Sequence, residues 1–377
     1  MFSGPYGALP TTTTTRTTTT AALRAVFSRV DIGMEVFIRD LLLKSSVEFI
    51  QTQLYGADNG IIFICAKMRQ RSQFNQERIK TNIPPTLCYG CMTIPAATDA
   101  MTLTLFAILL FAALLHASWN AIVKAGNDKL YAAVSVSGSA AVMALLALPF
   151  SPQPSVESIP FLIASCILQV IYTVLVAKTY QVSDMSQTYP LMRGTAPLLV
   201  AVISVAFMGE TLSEMAWLGI CVICLAILGM ALNGRSSSRK GIYLALLNAC
   251  FIAAYTLVDG TGVRVSGTAI GYTLWTFFMN GFCLLCWALL ARRKPAISYL
   301  SQHWRKGIFG GIATMGAYGL ALWAMTQAPL AVVAALRETS ILFGALIAFI
   351  LLKERVSGIR AVAACGIAAG AILLRLA

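Results

Sequence analysis

Three charged residues stand inside apolar runs and well away from their ends, where charge is costly: Arg193, Arg337 and Glu338. An arginine within a membrane span costs about 2.5–3.5 kcal/mol on insertion scales, and an ionised group there needs a partner or water. Arg337 and Glu338 are adjacent, so on a helix they point about 100° apart and meet different neighbours. A lone carboxylate in a low-dielectric cavity can bind and release a proton, which makes Glu338 a candidate coupling site. The plainer alternative is that Glu338 neutralises one arginine and holds two helices together. His116 and Asn120 are four residues apart and share one helix face. Polar groups at that depth face protein or a water-filled cavity. Their plainer role is an interhelical hydrogen bond, worth roughly 0.6–2 kcal/mol. With Asn248, these residues form the candidate lining of a path for substrate or ion.

Other chemistry finds no support. The chain has two histidines, His116 and His303, no phosphate-binding glycine motif and no paired carboxylates. Asp184 and Asp259 read as isolated residues near helix ends. Cys221/Cys224 and Cys283/Cys286 are i, i+3 pairs within apolar runs, with no further metal ligands beside them. No catalytic set, metal site or cofactor is expected. Glu210 and Glu354 fall where one apolar run ends and the next begins, and read as structural carboxylates near helix N-termini.

The elements that must position these residues are set by composition. Of 377 residues 58% are hydrophobic and 11% charged, with mean hydropathy +0.76. A soluble chain carries about 25% charged residues, so the bilayer is the expected solvent. The net charge is +13. Its basic residues lie in short gaps between apolar runs, which points to lipid headgroups and topology rather than nucleic acid. Residues 1–100 differ from the rest. They open with the low-complexity run TTTTTRTTTT and hold one short apolar run, 61–66. This stretch reads as an extension outside the fold, with Met101 as the translation start; the alternative is a soluble or disordered extension.

From Leu103 onward, ten apolar stretches have spanning length: 103–123, 131–149, 160–180, 189–208, 214–233, 241–258, 270–291, 308–327, 330–352 and 358–376. Basic residues concentrate in the odd-numbered loops, and the even-numbered loops hold only Arg264. Odd loops are therefore expected on the cytoplasmic side, with both ends of the ten-helix unit outside.

The two halves repeat. At an offset of 144, Arg193 meets Arg337, Thr195 meets Thr339, Glu210 meets Glu354 and Ser213 meets Ser357. Near the front of each half the offset is 132, and Asn248 falls on the counterpart of His116. Five spans per copy is an odd number, so the second copy is inserted upside down. The fold expected is all-α and integral to the membrane: ten helices as two inverted five-helix repeats, 101–233 and 241–377.

The segments YPLMRGTAPLLVAVISVAFMGETLS and LRETSILFGALIAFILLKERVS, with HASWNAIVKAGND in the first span, resemble the EamA family of the drug/metabolite transporter superfamily over residues 101–377. The resemblance implies a secondary carrier of a small-molecule substrate, often an exporter, in a cell (inner or plasma) membrane. It names no cargo. The rival classes are an integral membrane enzyme and a non-transporting receptor or assembly subunit. The expected partners are the lipid bilayer and the small solute, with no nucleic acid. Gly366 and Gly370 form a GxxxG face that serves either a homodimer or the fold itself.

Overall fold

The structure is a computed structural model, and it describes residues 101–377 except 127, 232–237 and 352–356. The reading of residues 1–100 as an extension lies outside the described residues. The helices are α1 (Leu103–Lys124), α2 (Lys129–Ala147), α3 (Ile159–Val182), α4 (Met185–Phe207), α5 (Glu214–Ala231), α6 (Arg239–Val265), α7 (Ala269–Ala291), α8 (Arg293–Met325), α9 (Leu330–Arg337), α10 (Ser340–Leu351) and α11 (Gly358–Leu376). Among the described residues, ten helical spans are long and apolar enough to cross a membrane; α9 and α10 together make the ninth.

Polar residues begin several of these helices. Asp128 accepts from the backbone N–H groups of Leu130 and Tyr131, Asp184 from Ser186, Ser238 from Gly241 and Thr268 from Gly271. Each cap satisfies donors that the first helical turn leaves open. The outer faces are apolar, with Phe207 and Leu290 83% and 87% exposed. In water such faces would be a liability, and in lipid they cost nothing.

The interior packing has the symmetry of a repeat. α1 lies against α8, and its counterpart α6 lies against α3. The second helices of the halves, α2 and α7, pack on each other, as do the fifth helices, α5 and α11. The α5–α11 contact uses the GxxxG face: a Cβ on Gly370 would stand 2.8 Å from the carbonyl oxygen of Gly219, and one on Gly366 would stand 2.7 Å from the Cβ of Ala226. That face is therefore occupied within the chain, and a homodimer would need another surface. α9 is buried on all sides, with Leu330, Ala331, Val333, Ala335 and Leu336 fully enclosed in the main apolar core.

Two elements differ from the sequence expectation. α6 runs to Val265 rather than ending near 258, which brings Asp259 inside the helix. α8 begins at Arg293 rather than near 308, because its first part is a basic, amphipathic stretch that hydropathy alone passes over; a kink at His303 (φ −118°, ψ 17°) joins it to the apolar part.

The two equivalent spans α4 and α9/α10 are both loosened at one level. In α4, Pro197 has no N–H to offer the carbonyl of Arg193 four residues back. In the second half the helix itself breaks at Glu338–Thr339. There the backbone tightens to three-residue steps, Glu338 N–H to the Ala335 carbonyl at 3.0 Å and Thr339 N–H to the Leu336 carbonyl at 3.1 Å. At the 144 offset Glu338 is the counterpart of Gly194, one residue after Arg193. Broken spans near the middle of a bilayer line protein or water rather than lipid, since lipid cannot satisfy freed backbone groups.

Candidate functional site

The break in span nine delivers Glu338 to Arg193. Arg193 Nε stands 3.0 Å from Glu338 Oε2, and the two side chains are 10% and 6% exposed. By distance this is an ion pair, yet neither atom meets hydrogen-bond geometry, and Arg193 Nη2 also lacks an acceptor. We read it as two opposite charges held side by side without a directed bond, since Coulomb attraction needs only proximity whereas a hydrogen bond needs alignment. The pair joins α4 of the first half to span nine of the second.

Arg337 turns away from Glu338, as adjacent helical residues do. Its guanidinium lies over the ring of Tyr318 on α8, 4.9 Å from the centroid. Arg193, Arg337 and Glu338, with Tyr255 and Thr256 of α6 and Pro197 of α4, surround a void of about 10 Å³. That is room for about one water molecule, so the site is closed in this conformation.

The other candidates are placed less centrally. His116 is half-buried and lies within the field of both arginines. Its Nδ1 faces Trp119 Nε1 at 3.4 Å, and the two rings meet edge to face. Asn120 donates back to the carbonyl of His116 at 2.8 Å, within its own helix. Asn248 is fully buried and donates to Met192 Sδ on α4 at 2.9 Å, while its Oδ1 has no partner. The structure thus brings Arg193, Arg337 and Glu338 together with His116 in their field, and leaves Asn120 and Asn248 in contacts of their own.

Sequence reasoning missed Asp259. It is fully buried on α6 and receives Tyr272 Oη of α7 at 3.0 Å, Gln169 Nε2 of α3 at 3.3 Å, and the hydroxyl of Tyr318. The signal was available: Asn248, Ile252, Tyr255 and Asp259 follow steps of four, three and four along α6, which is one helix face.

Glu210 also differs in detail from its expected place. Its carboxylate caps α9, on the other half of the molecule, accepting from Leu330 N–H at 3.1 and 3.0 Å, rather than capping α5. Arg264 pairs with it at 2.8 Å and donates to the carbonyls of Met325 and Ala328. The single basic residue of the even-numbered loops is therefore half of a latch that ties together the ends of α4, α6, α8 and α9. On the same face Ser155 bonds to the carbonyls of Val265 and Ser266, and Trp275 donates to Gln153. This face is closed by direct contacts between the halves. Glu210→Ala is expected to open it. A cysteine replacing buried Ala331, in a background without native cysteines, should then react several-fold faster with an impermeant maleimide; an unchanged rate would show that the latch does not hold this face.

Residues 239–376 match the EamA-like transporter family. A solved crystal structure, described only as that of a protein, aligns with a TM-score of 0.56 at 16% identity, covering 72% of this chain and 98% of that one. At that identity the likeness concerns the fold. No curated protein matches this sequence. The ten spans and the family match together make the chain a multi-pass membrane protein of transporter type.

Proposed function

We infer that this chain, with its EamA-like second half, is a secondary active carrier that moves a small metabolite by alternating access, working outward across a cell (inner or plasma) membrane. The observation that carries the reading is the Arg193–Glu338 pair. It is a buried charge contact between the two halves, at the level where α4 is loosened by Pro197 and span nine is broken. Such a contact is expensive to maintain for stability alone, because desolvating two charges offsets most of their attraction. It makes sense where the same groups must meet a polar solute in another conformation. The closed even-loop face and the near-filled central void suit one end state of a rocking cycle between two inverted halves. Arg193, Arg337, Glu338 and His116 then form the core of the path, with Asn120 and Asn248 on its margin. The outward direction rests on the family resemblance.

Counterflow tests the reading against an enzyme or a receptor. Compounds enriched in the medium of cells that express the chain supply the labelled probes. Proteoliposomes preloaded with an unlabelled probe should transiently accumulate the label, and liposomes carrying an Arg193→Leu variant should not. An enzyme or receptor would give no accumulation for any of them.

A further inference from the structure

We propose that Asp259 is a proton-binding site whose occupancy, relayed through Tyr318, switches the Arg337 guanidinium between two counter-anions: the Asp259 carboxylate and an anionic group on the solute. The inference rests on the carrier reading and deepens it by naming the solute class.

The first support is the make-up of the shell around Asp259. Its hydrogen-bond partners are two tyrosine hydroxyls, a glutamine amide and the hydroxyl of Ser165, all neutral. A hydroxyl can donate to a carboxylate or accept from a carboxylic acid. With a proton on Asp259, one tyrosine becomes the acceptor and its own O–H turns away from the carboxyl group. Glu338 has no such freedom, since its neighbour is a guanidinium that can only donate. The groups that face Asp259 are Cys166 of α3, Tyr255 of its own helix, Tyr272 of α7, Tyr318 of α8 and, through its charge, Arg337 at the end of α9. Arg337 is the cation among them.

The second support is the relay. One side chain, Tyr318, carries Arg337 on its ring face and Asp259 on its hydroxyl. Arg337 forms no direct ion pair among the described residues; the charges that compensate it are Glu338, its chain neighbour, and Asp259, across one aromatic ring.

The third support is charge balance around the void, which Arg193, Arg337 and Glu338 line; Asp259 is not in its wall and acts on it through its charge. The cluster holds two arginines and two carboxylates and is neutral as it stands. A proton on Asp259 leaves it at +1. In a closed, low-dielectric site an uncompensated charge is costly, so a protonated cluster favours a bound anion and an ionised one resists it. One donor for that anion is at hand: Arg193 Nη2 is buried without an acceptor, while Arg193 Nε faces Glu338. The proton and the anion therefore bind together, and each raises the affinity of the other by the same factor.

The test uses the full-length protein in lipid nanodiscs, with benzoate as the anion, and needs no transport. Infrared difference spectra on acidification should show the carbonyl stretch of a protonated carboxylic acid. The band should be lost in Asp259→Asn and kept in Glu338→Gln. Benzoate affinity, read from tryptophan fluorescence, should rise roughly 5–150-fold from alkaline to acid pH, the usual range of coupling between sites. Asp259→Asn should bind benzoate with no pH dependence. Tyr318→Phe keeps the ring under Arg337 and removes the hydroxyl, so it should keep the infrared band and lose the pH dependence of binding. A band that survives Asp259→Asn, a benzoate affinity that ignores pH in the unmodified protein, or no benzoate binding at acid pH overturns the proposal. Failure of counterflow with intact proton-linked benzoate binding would instead overturn the carrier reading.

Discussion

Replacing Glu338 by leucine should destabilise the protein by about 3–5 kcal/mol, the usual cost of leaving one member of a buried ion pair without the other. Arg193 would keep its charge at 8% exposure, with Nε and Nη2 already lacking acceptors. The loss should be largely undone in the double variant Arg193→Leu/Glu338→Leu, since two apolar residues of similar bulk remove the desolvation cost along with the attraction. Denaturation by increasing SDS, followed by tryptophan emission, measures both, and the double-mutant cycle isolates the coupling. Equal stability of the single variant and the parent, or a double variant no better than the single, would show that the two charges do not compensate each other. Whatever the stability of the double variant, it should not support counterflow, because the groups proposed to meet the solute are gone.

Gly370→Leu should be comparably damaging, by about 3 kcal/mol, through geometry rather than charge. The added Cβ would fall 2.6 Å from Ile223 Cγ1, 2.8 Å from the Gly219 carbonyl and 3.0 Å from the Ile223 nitrogen. Two of those three atoms are backbone, which cannot move aside as a side-chain end can. α5 and α11 would have to separate, and with them the seam between the halves. Gly229→Leu on α5 is the control, with nothing within 4 Å of its added Cβ. Size-exclusion profiles of the two variants after mild heating should diverge, with Gly370→Leu aggregated and Gly229→Leu monodisperse. Matching profiles would mean that α5 and α11 do not meet at Gly219 and Gly370.

The spans were legible because lipid rewards long apolar runs, and the two misjudged ends show where that signal fails. The start of α8 is written in Arg293, Lys294, Arg305 and Lys306, residues that hydropathy counts against a helix although a helix at an interface carries them well. Asp259 hides the end of α6 for the same reason: one carboxylate lowers the local hydropathy, and its tyrosine partners lie on other helices, α7 and α8. Arg193, Arg337 and Glu338 could be singled out because charge in an apolar run is conspicuous. Their pairing could not be read from the sequence. Arg193 and Glu338 are joined because span nine breaks between Arg337 and Ser340, and a break formed by ordinary residues without proline carries no local sequence mark. Glu210 shows the same limit: its spacing from Arg193 marked it as part of the repeat, but its partner Arg264 belongs to the other half.

The latch has a consequence for how the carrier would behave toward solutes arriving from its two sides. Glu210, Arg264 and the Leu330 amide close one face with charge-assisted bonds. A solute approaching from that face must wait for a conformation in which those bonds are broken. Its apparent dissociation constant is the intrinsic one divided by the fraction of molecules that are open there. A solute from the opposite face meets no such reduction from the latch. The same binding groups would then show a weaker half-saturation from the latched side than from the other, a built-in rectification that requires no difference in the site itself.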